Sequence, residues 1–311
     1  MSGQQPSPFH DLGWLRLATA LMNARLTPLI VRAGNRDVGV APWITRSAGA
    51  ARTVNRVPFP YLGPLVPPHL LRGTLAELRT RGLRRGALLQ EAQFMPTSPV
   101  QPEELRRVGY DSEQYCTWVV DTTKTEDEAY AALPSRTRQK LRQGQRAGLE
   151  VTTSGDRATT LRRFLDEVTS RRGFRVDYTG TLPSTLEPLE DATFTTRWTL
   201  ARLKGQEIGS LVTLRSGDLA IGWIGGVLRE HQRSHANVAL VWDSIVWAGR
   251  EGARALDMLG SPSPGIAEFK RQFNAVSLPY TGLVTYAPGA ERLQARRRRH
   301  QGADAVSSPC P

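Results

Sequence analysis

A chain of 311 residues with 40% hydrophobic side chains has length for two ordinary domains and enough apolar content for folded cores, which excludes a disordered polymer. Its 41 Lys and Arg against 29 Asp and Glu give a formal net charge of +12, which favours polyanionic partners such as nucleic acid or phosphorylated compounds. Cys116 and Cys310 are not spaced as a disulfide or zinc framework, no apolar run is long enough to span a bilayer, and MSGQQPSPFHDLGW lacks a signal-peptide pattern, so a reduced cytoplasmic compartment is expected.

Residues 11–25 are expected to open the fold as a helix capped by Asp11, with Leu12, Leu15, Ala18, Leu21 and Met22 on one apolar stripe. Strands are expected at 29–32, 38–45 and 52–59, then a Pro/Gly turn at 58–68, a helix at 70–81 and strands at 87–92 and 115–120. Thr125 and Glu128 form a capping box at the head of a short helix that ends before Pro134. Ser135 is expected to cap a basic helix over 136–147, closed by Gly148. After a strand at 149–153, Asp156 caps a helix through 172, with Leu161, Phe164, Leu165 and Val168 inward. Residues 194–203, 207–214 and 219–227 read as an antiparallel meander. A helix at 237–250, a strand at 254–258 and a last strand at 276–286 complete the ordered chain. The segment from 288 carries Arg292 and the run 296–299, and its end is expected to be disordered.

A repeat is visible within this order. Laying Val38-Gly39 on Ile208-Gly209 brings Arg32 onto Arg202 and Asp37 onto Glu207, as two copies of one hairpin would. Helices and antiparallel strands recurring twice give an α+β protein of two similar domains rather than a doubly wound sheet. The expected divisions are 1–120, 121–290 and a basic tail at 291–311.

On the basic helix, Arg138, Arg142 and Arg146 recur at helical spacing as one stripe, suited to neutralising phosphates along a nucleic-acid backbone; a solvated surface is the plain alternative. His231 and His235 stand four apart without an H-E-x-x-H motif or a third ligand, so no metal is expected. No nucleophile elbow, Walker loop or dinucleotide fingerprint is present, and Cys116 sits in an apolar strand as core.

The richest stretch is 255–274, ALDMLGSPSPGIAEFKRQFN. An apolar strand ends in Asp257, a Gly/Pro turn runs from Gly260 to Gly265, and a short helix carries Ile266, Phe269 and Phe273 on one face beside Lys270 and Arg271. This stretch, the Pro58–Leu65 run PFPYLGPL and the basic helix with Ala147-Gly148-Leu149 together resemble, in the same order, the FemABX aminoacyltransferases. The resemblance implies two tandem GNAT-like domains, each a mixed, mostly antiparallel sheet flanked by helices.

It also implies a soluble acyltransferase that forms an amide by aminolysis of the aminoacyl ester on tRNA, with no bound cofactor. The functional lysine of the family's Phe-Lys pair corresponds to Lys270, flanked by Phe269 and Arg271, with Asp257 the nearest carboxylate and a candidate to orient the amine. Tyr61 and Gly63 would shape the acceptor pocket, and Trp223 and Trp242 would offer stacking surface to the terminal adenine, unless they are core. Arg138, Arg142 and Arg146 would hold tRNA. The chain departs from the family in lacking room for a helical arm, in Leu62-Gly63 where Gly-Gly is usual, and in Asn274 where a glycine is common. The acceptor stays open between a peptidoglycan precursor and a peptide or nucleoside amine. A CoA-dependent N-acyltransferase of the same fold is the alternative, although Ala236 and Val238 stand where a pyrophosphate loop wants glycines. A nucleic-acid-binding module without catalysis is a third reading. Nothing in the sequence fixes the oligomeric state.

Overall fold

A computed structural model describes residues 6–48, 51–57, 59–98, 100–172, 194–261 and 263–290. The expected tail at 291–311, with its arginine run, lies outside the described residues, as do Pro58, Pro262 and Cys310.

In chain order the elements are α1 (Leu12–Leu21), β1 (Arg25–Leu26), β2 (Leu29–Ala33), β3 (Arg36–Ala41), β4 (Ile44–Ala48), β5 (Ala51–Val54), α2 (Pro68–Arg84), β6 (Ala87–Gln93), α3 (Pro102–Arg106) and β7 (Asp111–Asp121). They continue with α4 (Glu126–Ala132), α5 (Ser135–Arg146), β8 (Leu149–Thr152), α6 (Arg157–Arg172), β9 (Thr195–Leu203), β10 (Gln206–Ser216), β11 (Leu219–Val227), α7 (Ala236–Arg250), β12 (Ala255–Asp257), α8 (Pro264–Arg271) and β13 (Val276–Tyr286). The chain is thus α+β, with mostly antiparallel strands.

Two compact units are formed, neither contiguous in sequence: Met1–Cys116 with Gly260–Ser263 and Leu278–Pro311, and Thr117–Leu259 with Pro264–Ser277. The contiguous division read from the sequence differs from this partition in giving 117–120 to the first domain and 260–263 and 278–290 to the second.

In the first unit the strands lie in the order β1-β4-β5-β6-β13, with the hairpin β2-β3 apart from them. Asp11 caps α1 by accepting from the Trp14 amide at 3.1 Å. The buried stripe of α1 is not the one expected: Leu12 is exposed, and Trp14 takes its place in the core beside Leu15 and Ala18, its ring 5.5 Å from Phe9 and 5.8 Å from Phe59. The helix also stops at Leu21 rather than 25. One expected strand over 38–45 is two, because Pro42 has no amide proton to continue a ladder. Asn55 stitches the break, accepting from the Ile44 amide and donating to the Pro42 carbonyl.

Among the strands of the second unit the order is β7-β12-β11-β10-β9-β8. β12 is central and short, antiparallel to β7 and parallel to β11. On one face Leu141, Val238, Ile245, Ala248, Leu256 and Phe273 form a buried cluster with Trp118 and Val120. The Thr125–Glu128 capping box forms as expected, and Asp156 accepts from the Thr159 amide at 3.0 Å. At α5 the expectation needs correcting. Ser135 is the first helical residue and Pro134 is the cap, its fixed φ setting an extended entry while its carbonyl accepts from Thr137 and Arg138. Cys116, expected as a core residue, is only half-buried, a second correction.

The repeat read from the sequence has a structural form in both units. Val31 pairs with Gly39 and Arg32 with Asp37, leaving Val38 as a one-residue bulge; Ala201 pairs with Gly209 and Arg202 with Glu207, leaving Ile208 as the same bulge. Each arginine reaches its acid, at 2.7 Å and 3.0 Å. A Cβ on Gly39 would strike the carbonyl of Leu65 and the side chain of Val66; one on Gly209 would strike the carbonyl of Gly226 and the side chain of Val227, both at 2.8 Å. Leu65-Val66 of the proline-rich turn is therefore the counterpart of Gly226-Val227 at the end of β11.

Candidate functional site

The site is built where β12 ends. Asp257 closes the strand with a 2% exposed side chain, accepting hydrogen bonds from the Thr117 hydroxyl and, at 2.7 Å, from the Leu259 amide. Pairing with β7 continues past the strand, since the Met258 amide donates to the Trp118 carbonyl at 2.7 Å and the Trp118 amide to the Leu259 carbonyl at 3.2 Å. Leu259 takes a left-handed conformation (φ +62°), unusual for a branched residue and held by these bonds on both sides.

Lys270 returns to this corner from the last turn of α8. Its side chain is 5% exposed, and its Nζ donates to the Met258 carbonyl at 2.6 Å and the Leu259 carbonyl at 2.8 Å. Burial lowers its pKa to about 8, and the negative charge of Asp257 opposes that shift. At neutral pH the group is therefore an ammonium, with a proton much more easily lost than that of a surface lysine. Folding buries this charge without changing its protonation below pH 8. Between 8 and 10.5 the unfolded chain keeps the proton that the folded one loses, so this group's contribution to stability rises with pH across that window.

Phe269 and Arg271 flank Lys270 differently. Phe269 packs half-buried with an edge-on contact to Phe273 (5.4 Å), while exposed Arg271 places its guanidinium 4.9 Å from the centre of the Trp118 ring. Trp223 lies two residues beyond Ile221, the register partner of Asp257, and is itself the bulge of β11 between Gly222 and Ile224; it is 7% exposed. Trp242 is half-buried on α7, edge-on to Tyr130 at 5.8 Å, and packs against the buried cluster that holds Leu256 and Phe273.

The three arginines of α5 do not act alike. Arg142 and Arg146 are exposed, whereas Arg138 turns its guanidinium back to the Ala131 and Leu133 carbonyls and so caps the C-terminus of α4. It is a fastening of the α4–α5 corner, unlike its neighbours on the stripe.

Tyr61 and Gly63 lie in the first unit. Tyr61 is fully buried in a left-handed conformation (φ +67°), edge-on to Tyr280 at 5.1 Å, and Tyr280 stacks on Tyr115 at 5.3 Å. Gly63 donates to the Gln93 carbonyl at 2.7 Å and accepts from His10 Nε2 at 2.9 Å, in the tautomer that leaves Nδ1 to accept from the Ser7 amide. The sequence reading missed His10. Burial lowers its pKa to about 4 against the smaller raising effect of the Gly63 bond, so it folds neutral. The unfolded chain takes up this proton near 6.5. The stabilising effect of keeping His10 neutral is therefore complete above 6.5 and is lost as pH falls towards 4, by about 1.4 kcal/mol per pH unit. Melting curves between pH 7 and 4 should show this fall, and His10→Gln should flatten it; an unchanged slope in the variant would assign the acid sensitivity elsewhere.

Thr117 and Trp118 were also missed, having no local signal: each meets its partner across some 140 or more residues of chain. Among the described residues no group of three or more His, Cys, Asp or Glu side chains is placed to hold a metal ion, and no helix is long and apolar enough to cross a membrane.

Residues 135–271 match the family model described as an acetyltransferase (GNAT) domain. No curated protein matches the chain. Among solved structures, FemX superposes with a TM-score of 0.66 at 13% identity over 94% of this chain and 95% of its own. The tandem GNAT protein from the clavulanic acid biosynthesis pathway gives 0.58 at 15% over 92% and 90%, and L-PGS from Bacillus licheniformis 0.59 at 12% over 98% of both chains. With its bulged hairpin present twice and its GNAT-domain match over the second copy, the chain has the FemABX-like tandem GNAT fold that its sequence resembles.

Proposed function

We propose that the protein is an acyltransferase that forms an amide by moving an aminoacyl group from tRNA to the amine of a peptidoglycan precursor or of a peptide or nucleoside natural product, in the cytoplasm. The observation that carries this reading is the buried Lys270 ammonium, fixed on two carbonyls at the end of β12 beside Asp257. An aminoacyl ester is already activated, so an amine needs little beyond alignment and charge stabilisation. The amine attacks the ester carbonyl, the C–O bond to the ribose breaks, and the proton lost by the amine ends on the departing ribose hydroxyl. In this proposal the field of Lys270 stabilises the oxyanion of the tetrahedral intermediate, and Asp257 keeps the lysine charged. The fold likeness to FemX supports an aminoacyl donor.

Incubation with tRNA carrying a labelled amino acid and a panel of amine acceptors tests this. Label is expected in an amide product, and prior RNase digestion should abolish it; transfer that survives RNase treatment would discard the tRNA donor.

The match to an acetyltransferase domain favours a second reading, acyl-CoA as donor. Against it, the first turn of α7 is already capped: the Ala236 amide donates to the Ser234 hydroxyl, the Val238 and Ala239 amides donate to the His235 carbonyl, and Ala236 and Val238 are buried. Release of free CoA, followed with a thiol reagent across short and long acyl donors, separates the two.

A further inference from the structure

The hairpin β2–β3 of the first unit is the counterpart of β9–β10 in the second, and the two differ in what covers them. With Val31 opposite Gly39 as Ala201 is opposite Gly209, Ile30 and Val40 correspond to Leu200 and Ser210. Leu200 and Ser210 are fully buried. There β8 pairs antiparallel with the outer edge of β9, Thr152 against Leu200 and Glu150 against Arg202, and Phe164 of α6 lies against Gly226, the register partner of Ser210. The first hairpin has neither cover: among the described residues β2 pairs with β3 alone, and Ile30 and Val40 are 60% and 47% exposed. These two are cross-strand partners, so they form one apolar patch beside an open strand edge.

Val40 settles which backbone groups that edge presents. Its amide donates to the Leu65 carbonyl at 3.1 Å and its carbonyl accepts from the Leu65 amide at 2.8 Å, so both groups face away from β2. In an antiparallel ladder its partner Ile30 then turns its own N–H and C=O outward, away from β3, and Arg32 does the same two residues on. The opposite face of β2 is committed to the first unit. Leu29 packs against Trp43, Val54 and Ala87, and Val31 against the cluster of Val66, Leu71 and Leu75, which holds the hairpin in place. The edge is also poorly guarded: the one charge on β2, Arg32, is drawn to Asp37 of the same hairpin at 2.7 Å.

We infer that β2 pairs antiparallel with β2 of a second copy of this chain, with Ile30 on the two-fold axis, so that the two hairpins join as one four-stranded sheet. In this register each Ile30 exchanges both hydrogen bonds with its twin, and Leu29 of one copy faces Val31 of the other. The Arg32 amide donates to the Pro28 carbonyl across the axis, which asks no donor of the proline. Val40, Ile30 and their twins line up as one apolar stripe. The two Arg32 residues then stand four positions apart along the strands, about 13 Å, beyond the roughly 10 Å over which exposed charges act at 0.1 M salt. Centring the pair on Val31 instead would halve that separation and set each Ile30 against an arginine, so charge and apolar contact favour the same register. A single ladder of this length is a small interface, so the dimer is reversible and depends on concentration. It stands apart from the question of the acyl donor.

Sedimentation velocity on the full chain, over a roughly hundredfold range of concentration, should show monomer passing into dimer. Ile30→Lys and Ile30→Glu, each alone, should weaken the dimer roughly tenfold or more, because like charges then meet on the axis. Mixing the two variants should restore association as a mixed dimer, which self-pairing centred on Ile30 requires. Ile30→Pro removes only an outward-facing amide proton and should weaken the dimer as well. Leu12→Lys and Val276→Lys, at exposed apolar side chains elsewhere, should leave it unchanged. Substitutions at such exposed positions barely move melting temperatures, which separates lost pairing from lost folding. A chain that stays monomeric throughout the range, or a dimer indifferent to Ile30→Lys, would overturn the edge as an interface. Failure of the Lys and Glu variants to associate when mixed would overturn pairing between two copies in this register.

Discussion

Replacing Lys270 by methionine is expected to lower amide formation roughly a hundred- to a thousandfold while the protein stays folded. The two halves of this expectation have separate physical grounds. The rate falls because methionine fills the space of the lysine stem but carries no charge to set against the developing oxyanion. The fold survives because two stability effects oppose each other. Burying the ammonium, with its pKa at about 8 instead of 10.5, costs about 3 kcal/mol at neutral pH, and methionine removes that cost. Methionine also leaves the Met258 and Leu259 carbonyls without the lysine, a loss of about 1–3 kcal/mol for each buried group. Melting temperature and single-turnover transfer, measured on the same preparation, check the two halves. A variant that melts normally and transfers at the parental rate would make Lys270 a structural clamp on the left-handed Leu259 and remove it from the chemistry. A lysine-to-arginine change should not rescue activity, because the corner is shaped for a single point charge donating to two carbonyls.

The parts of this site that the sequence revealed are those written in neighbouring residues. The capping roles of Asp11, Thr125 and Asp156 follow from a polar oxygen placed next to the first turn, and all three hold. The doubled hairpin was legible because a bulge, a charge pair and a glycine against the next strand leave a fixed spacing in the chain, repeated at 32–39 and 202–209. Ser135 misled because serine is a good cap in general, while Pro134 before it had already fixed the chain entry. Arg138 misled for a related reason: helical periodicity gives the face on which a side chain starts, not the direction in which a long one turns. The carbonyls left open at the end of α4 drew it inward, away from Arg142 and Arg146. The partners of Asp257 and Arg271 were out of reach altogether, because the pairing of β7 with β12 joins segments far apart in sequence and no local pattern encodes that register.

That pairing yields the other large effect. Asp257→Asn is expected to move the alkaline limb of the activity profile to lower pH, by about one unit. In the parent protein, transfer that depends on the ammonium form of Lys270 should decline as pH rises through about 8. Burial sets that value by opposing the charged form, and the carboxylate of Asp257 holds it from falling further. Asparagine keeps an oxygen to accept from the Thr117 hydroxyl and the Leu259 amide but withdraws the negative charge, so Lys270 loses its proton more readily. At neutral pH a larger share of the variant is then uncharged and inactive, whereas at pH 6 variant and parent should converge. Rates must be corrected for spontaneous hydrolysis of the ester, which deacylation without acceptor supplies. Two outcomes contradict the scheme in different ways. An unmoved limb would mean that Asp257 does not control the charge of Lys270, and activity rising through pH 8 would mean that the neutral amine acts as a base. Convergence at low pH with divergence at neutral pH is the signature of a carboxylate whose task is to keep a buried lysine charged.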